Sequence, residues 1–209
     1  MFSRRSLAHS NELPAASQDS PRNVDFVWGA KIPMQDGVQL NATVYKPKNP
    51  QPVPAIFTLT PYIADSYHPR AFYFAQHGYA FVLVDCRGRG NSGGEFEPFV
   101  NEGRDGRDVA AWLAAQPWCS GAVTMWGGSY GGFDQWMALK EFPPALKTFV
   151  PVASAHAAVD FPFFSNIFQP YEMRWLTLTS GATGNANLFG EESFWNEKYL
   201  ELYRSHRPF

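Results

Sequence analysis

The sequence predicts an α/β fold: a mostly parallel sheet with helices on both of its faces. Three observations carry this expectation. Ala55 to Leu59, with Thr58 as its one polar residue, and Phe81 to Val84 are short continuous runs of apolar character, the pattern of strands covered on both sides. Segments of helical spacing alternate with such runs, giving the order β-β-β-α-β-α-β-α-β. The third is a strand that runs straight into Gly127-Gly128-Ser129-Tyr130-Gly131-Gly132 and then into a helix.

Each element has a local cause. Phe26 to Ile32 and Val38 to Tyr45 read as two strands of a hairpin, because Gln35-Asp36-Gly37 is a turn sequence between them. A helix is expected from Pro69 to about His77, with Pro69 in the first turn and Gly78 just past the end. The next is expected near Asp105, whose carboxylate suits a helix N-terminus, and buries Val109, Trp112 and Leu113. Val123 to Trp126 is the following strand. Ser129 to about Phe142 is the following helix, with Phe133, Trp136, Met137 and Lys140 along one side and Pro143-Pro144 as its stop. Thr148 to Ala153 is a sixth strand. Residues 1–24, rich in Ser, Asn, Gln and Pro, are expected to be a flexible tail. The aromatic, Pro- and Gly-containing segment from Phe161 is expected to be a helical insertion without sheet.

Composition narrows the function classes. Of 209 residues, 45% are hydrophobic and 16% aromatic, enough for a sizeable core, and only 17% are charged. The net charge of −2, without a long run of one sign, leaves no footprint for nucleic acid or an acidic membrane surface, so neither partner is expected. Two cysteines, Cys86 and Cys119, lack metal-type spacing and are expected to be buried apolar residues. No run of about 18 apolar residues is present, so no membrane-spanning helix is expected. Arg4-Arg5 resembles part of a twin-arginine export signal, but His9-Ser10-Asn11-Glu12 is not an apolar core; a cytoplasmic protein is expected over an exported one.

The chemistry sits in G-x-S-x-G. A nucleophile at a strand-to-helix turn needs a strained backbone with its hydroxyl exposed, and flanking glycines, here Gly127 and Gly131, to avoid collision. The same turn puts the Tyr130 amide at a helix N-terminus, where it can face a developing oxyanion. Ser129 is therefore the candidate nucleophile and Tyr130 a candidate oxyanion donor.

Four ordered blocks now resemble one family. They are Thr60-Pro61-Tyr62, the run from Asp85 to Gly94, Trp112 to Trp118, and Gly127 to Gly132. From about Asp25 to Phe209 the chain is similar to the cocaine esterase and X-prolyl dipeptidyl-peptidase family of α/β-hydrolases, which also includes α-amino-acid ester hydrolases and cephalosporin acylases. The resemblance implies an α/β-hydrolase fold, with residues 25–155 as the N-terminal half of the domain and 156–209 as the start of a helical cap. It also implies that the Tyr62 hydroxyl completes the oxyanion hole beside the Tyr130 amide. A core tyrosine bonded to backbone is the other reading of Tyr62.

Two rival features fit less well. Gly88-x-Gly90-x-x-Gly93 follows a strand and formally matches a dinucleotide fingerprint, but Glu95-Phe96-Glu97-Pro98 does not open a helix to hold a pyrophosphate. A serine nucleophile needs a base and an acid that follow it in the chain. His156 and His206 are in unsuitable positions, Asp160 reads as a loop or cap residue, and Asp105 and Asp108 read as helix-terminus residues. The acid and base are therefore expected beyond Phe209, and the 209 residues alone are expected to be inactive.

The reading is thus a serine hydrolase that cleaves acyl ester or amide bonds in a small-molecule or peptide substrate through an acyl-enzyme, without metal or organic cofactor. Ester, amide and Xaa-Pro substrates are not distinguished by the sequence, nor is the oligomeric state. A non-catalytic module that keeps the fold is the alternative from another class.

Overall fold

The computed structural model describes residues 23–49, 51–156, 159, 161, 163–165 and 167–205. The chain opens with β1 (Val24–Pro33) and β2 (Gln39–Pro47), paired antiparallel from Val24↔Pro47 to Pro33↔Gln39. The turn forms as its residues dictate: Met34 N donates to Val38 O at 2.8 Å, Val38 N donates to Asp36 Oδ1 at 3.1 Å, and Gly37 supplies φ 88°. Four more strands follow, β3 (Val53–Thr60), β4 (Ala80–Asp85), β5 (Cys119–Gly128) and β6 (Leu146–Val152). The sheet order is β1-β2-β4-β3-β5-β6, antiparallel at β1/β2 and β2/β4 and parallel thereafter.

The strands with consecutive apolar residues, β3 and β4, are the central ones. Side-chain alternation divides them between two cores. Val82, Val84, Phe57 and Leu59 meet Val109, Ala110 and Leu113 of α2 (Glu102–Ala114) and Ala138 of α3 (Tyr130–Lys140). Phe81, Leu83 and Ile56 meet Ala71 and Ala75 of α1 (His68–Gln76) on the opposite face. Helices thus cover both faces, as expected of an α/β-hydrolase fold. Cys86 and Cys119 are free and buried.

Several expectations need correction. α2 begins at Glu102, one turn before Asp105, and the Glu102 side chain turns inward to accept from the Tyr130 hydroxyl. Asp105 and Asp108 are more than helix-terminus charges. Asp105 receives two hydrogen bonds from Arg87, at 2.6 and 3.1 Å, and Asp108 accepts from Gln35 N at 2.9 Å, so both tie α2 to loops. Trp112 is half-buried against the core, whereas Val109 and Leu113 are fully enclosed. The side of α3 marked by Trp136 and Lys140 is its outer side: Trp136 is 46% exposed, and the helix buries Tyr130, Phe133, Asp134, Gln135 and Ala138 instead.

The segment from Phe161 is not wholly helical. Phe163–Phe164 (β7) and Ile167–Phe168 (β8) pair as a short antiparallel ladder, with Ser165 at φ 51° making the turn. Helices α4 (Tyr171–Thr179), α5 (Ala186–Gly190) and α6 (Glu192–Ser205) follow. Of the expected tail, residues 1–22 lie outside the described residues, and β1 already begins at Val24. Among the described residues no helix is long and apolar enough to cross a membrane.

Candidate active site

β5 and α3 meet at Ser129, which has φ 55° and ψ −117°. A non-glycine residue in this left-handed region is strained and persists only where its surroundings hold it. They do: Ser129 N donates to Val152 O on β6 at 2.9 Å, and Ser129 O accepts from Gly132 N and Phe133 N at 2.9 and 3.1 Å. The glycines leave room for the turn. A Cβ on Gly127 would lie 2.8 Å from Gly131 O, and one on Gly132 would lie 2.9 Å from Ser154 Cα. Gly131 is less crowded, its nearest neighbour being Leu59 O at 3.3 Å.

Tyr130 is the first residue of α3, so helix geometry leaves its amide without an intrahelical acceptor. Its side chain points away from this task. The buried phenol donates to Glu102 Oε1 at 2.5 Å and accepts from Phe99 N at 2.7 Å. Burial, followed by the charges of Glu102 and Asp134, raises its pKa far above the ordinary tyrosine range. The phenol therefore acts as a neutral tether for the residue that follows Ser129.

Tyr62 enters from the loop after β3, where its amide donates to Thr60 Oγ1 at 3.1 Å. Its hydroxyl accepts from Trp175 Nε1 at 2.9 Å. Burial raises the Tyr62 pKa, and the bond from Trp175 pulls it back. The reading of Tyr62 as a core residue bonded to backbone is thus not what its hydroxyl does. Tyr62, Ser129 and Trp175 together line a cavity of about 430 Å³ with Tyr171 and Leu178. A second space of about 80 Å³ beside Ser129 is walled by Phe99, Tyr130, Phe161 and Trp175.

Neither cavity is lined by a histidine among the described residues. His156 is exposed and lines a different cavity, along the outer side of α3 with Phe133, Trp136 and Met137. His206 and Asp160 lie outside the described residues. Behind the elbow, Asp134 and Glu102 are buried carboxyls whose pKa values are both raised, chiefly by burial. No group of three or more His, Cys, Asp or Glu suited to a metal ion occurs among the described residues.

The glycine-rich run from Gly88 to Gly93 is a turn that leads to no helix before α2. A Cβ on Gly88 would lie 2.3 Å from Phe96 N, and one on Gly90 would lie 2.4 Å from Asp85 Oδ2, so the glycines serve close packing beside the elbow. The same turn carries Arg89, a residue no sequence signal singled out. Its guanidinium is fully buried and donates to Pro61 O at 2.8 Å and to the carbonyls of Leu178, Thr179, Ser180 and Gly181 at the end of α4. Trp175 and Glu102 were also missed, since an indole or a carboxylate far from the motif has no local pattern.

Comparison with known proteins agrees with this geometry. Residues 36–197 match the model of the X-Pro dipeptidyl-peptidase (S15) family. The chain is 38% identical over 142 residues to cocaine esterase of Rhodococcus sp. (strain MB1 Bresler), which covers 64% of this chain and 24% of that protein. Among solved structures, an aminopeptidase from a marine-sediment Thaumarchaeota archaeon superposes with a TM-score of 0.63 at 26% identity, covering 82% of this chain and 32% of the other. An α-amino acid ester hydrolase shares the fold, with a TM-score of 0.70 at 22% identity over 97% of this chain and 40% of the other. The chain therefore spans about a quarter of the length of the curated relative it matches. With an S15-type match across most of its length and a glycine-flanked serine at the strand-to-helix turn, the chain belongs to the X-Pro dipeptidyl-peptidase (S15) family of α/β-hydrolases.

Proposed function

We propose that the chain is part of a longer serine hydrolase that cleaves acyl esters or amides through an acyl-enzyme on Ser129. The observation that carries this reading is a strained, glycine-flanked Ser129 followed by the helix-terminal Tyr130 amide, with Tyr62 lining the same cavity as Ser129. Strain of this kind costs about 1–3 kcal/mol and clusters where chemistry uses it. A module with no reaction to perform has no use for it.

In the proposed reaction Ser129 Oγ bonds to the substrate carbonyl carbon while its proton passes to a general base. The carbonyl oxygen becomes an alkoxide, held by Tyr130 N–H and Tyr62 O–H. Collapse breaks the bond to the leaving alcohol or amine, which takes the proton, and water then attacks the acyl-enzyme to release the acid. By the order of catalytic residues in this fold, the base and its orienting acid follow the serine in the chain. Related proteins carrying the names cocaine esterase and aminopeptidase support an ester or amide as the bond cleaved. The acyl group would enter the aromatic-walled space beside Ser129. A fluorophosphonate probe should label the full-length protein at Ser129, and undiminished labelling of Ser129→Ala would overturn the assignment.

A further inference from the structure

The indole of Trp175 meets the one hydroxyl in the site whose proton direction matters. An indole N–H donates and never accepts, so the 2.9 Å contact between Trp175 Nε1 and Tyr62 Oη has a single sense. The phenol oxygen receives the bond, and its own proton is free to go elsewhere. Tyr62 and Ser129 line the same two cavities, so that proton has the space beside Ser129 to turn into. A hydroxyl that already accepts one hydrogen bond is also a stronger donor of the next.

Trp175 is itself held in place. It is 5% exposed, lies nearly parallel to Tyr130 with ring centroids 6.0 Å apart at 11°, and meets Phe161 edge-on at 5.0 Å. Arg89 then fixes the distance between the partners. One face of its guanidinium holds Pro61 O, the residue before Tyr62, and the remaining donors hold the C-terminal carbonyls of α4, the helix that carries Trp175. Sheet loop and helix are thereby clamped by one buried cation.

We propose that Trp175, braced by Arg89, is a positioning residue for the oxyanion hole: it occupies an acceptor site of Tyr62 Oη and so directs the phenolic proton into the cavity shared with Ser129, where the oxyanion forms. The inference rests on the reading of Tyr62 as an oxyanion donor and adds a residue on α4 that tunes it.

A double-mutant cycle in the full-length protein tests this. Tyr62→Phe should lower kcat by roughly 10²-fold, the usual effect of one lost oxyanion donor. Trp175→Phe keeps an aromatic wall but removes the N–H, and should lower kcat by about 10-fold with KM changed less than about threefold. In the Tyr62→Phe background the same change should cost less than about twofold, because there is no longer a proton to direct. Additive losses, or a Trp175→Phe loss confined to KM, would overturn the proposal in favour of a packing role. An unchanged kcat in Tyr62→Phe would instead overturn the oxyanion reading, and this inference with it. Independently of turnover, the indole ¹H–¹⁵N resonance of Trp175 should shift in Tyr62→Phe; an unmoved resonance refutes the contact.

Discussion

The Tyr130 hydroxyl donates to Glu102 Oε1 across 2.5 Å, so the residue that follows the candidate nucleophile is anchored through its side chain to the first turn of α2. Two elements separated by β5 are joined beneath the elbow by that bond. The same phenol accepts from Phe99 N, which lets one hydroxyl partner one oxygen of a buried carboxylate and a loop amide together.

Tyr130→Phe removes this hydroxyl and leaves both partners short of a hydrogen bond in a buried place. The unsatisfied groups should cost about 1–3 kcal/mol. For a protein of this size that is roughly 2–4 °C in Tm per kcal/mol, readable by calorimetry. A Tm equal to that of the unsubstituted protein would show that water satisfies Glu102 in the variant.

Asp134 sets a pH dependence. Burial first, then the charges of Glu102 and Asp105, push its carboxyl well above the ordinary range, and among the described residues its Oδ1 has no hydrogen-bond partner. The folded state therefore keeps a proton that the unfolded chain releases above about pH 4. That contribution is fully present below the unfolded pKa and is lost as pH rises through the folded pKa. Glu102, also raised by burial, adds in the same direction. Urea denaturation between pH 5 and 9 should show stability falling with pH. In Asp134→Asn the fall should be shallower, and at pH 9 the variant should be the more stable of the two. Parallel pH profiles for the two proteins would refute this.

Arg89→Ala deletes the clamp between the loop after β3 and the end of α4. Each hydrogen bond from a charged donor is worth about 1.5–3 kcal/mol, and the carbonyls of Leu178 to Gly181 would lose theirs together. Hydrogen exchange should accelerate at least about 10-fold across Tyr171–Thr179, as the helix opens locally, while β3, β4 and β5 keep their protection. Equal acceleration in the sheet would mean that Arg89 supports the whole domain.

What the sequence determined by itself is local. Short apolar runs identify β3 and β4 as central strands, since a strand covered on both faces carries apolar side chains at consecutive positions. The turn at Asp36-Gly37, the Pro69 start of α1 and the elbow at Ser129 are equally legible, because each depends on backbone torsions that few residue types allow. The short β7/β8 ladder was not legible, as two apolar residue pairs on either side of a turn have too little period to separate strand from helix. Tertiary structure alone decided what the buried polar groups do. Asp105 and Asp108 carry the composition of a helix start, yet their partners, Arg87 and Gln35, come from distant loops. Arg89 looks like one more surface cation until its guanidinium is seen among five carbonyls. Trp175 is 113 residues from the Tyr62 hydroxyl it donates to. Contacts of this range leave no periodic trace in the chain, because a hydrogen bond across the fold constrains two positions only through the packing that brings them together.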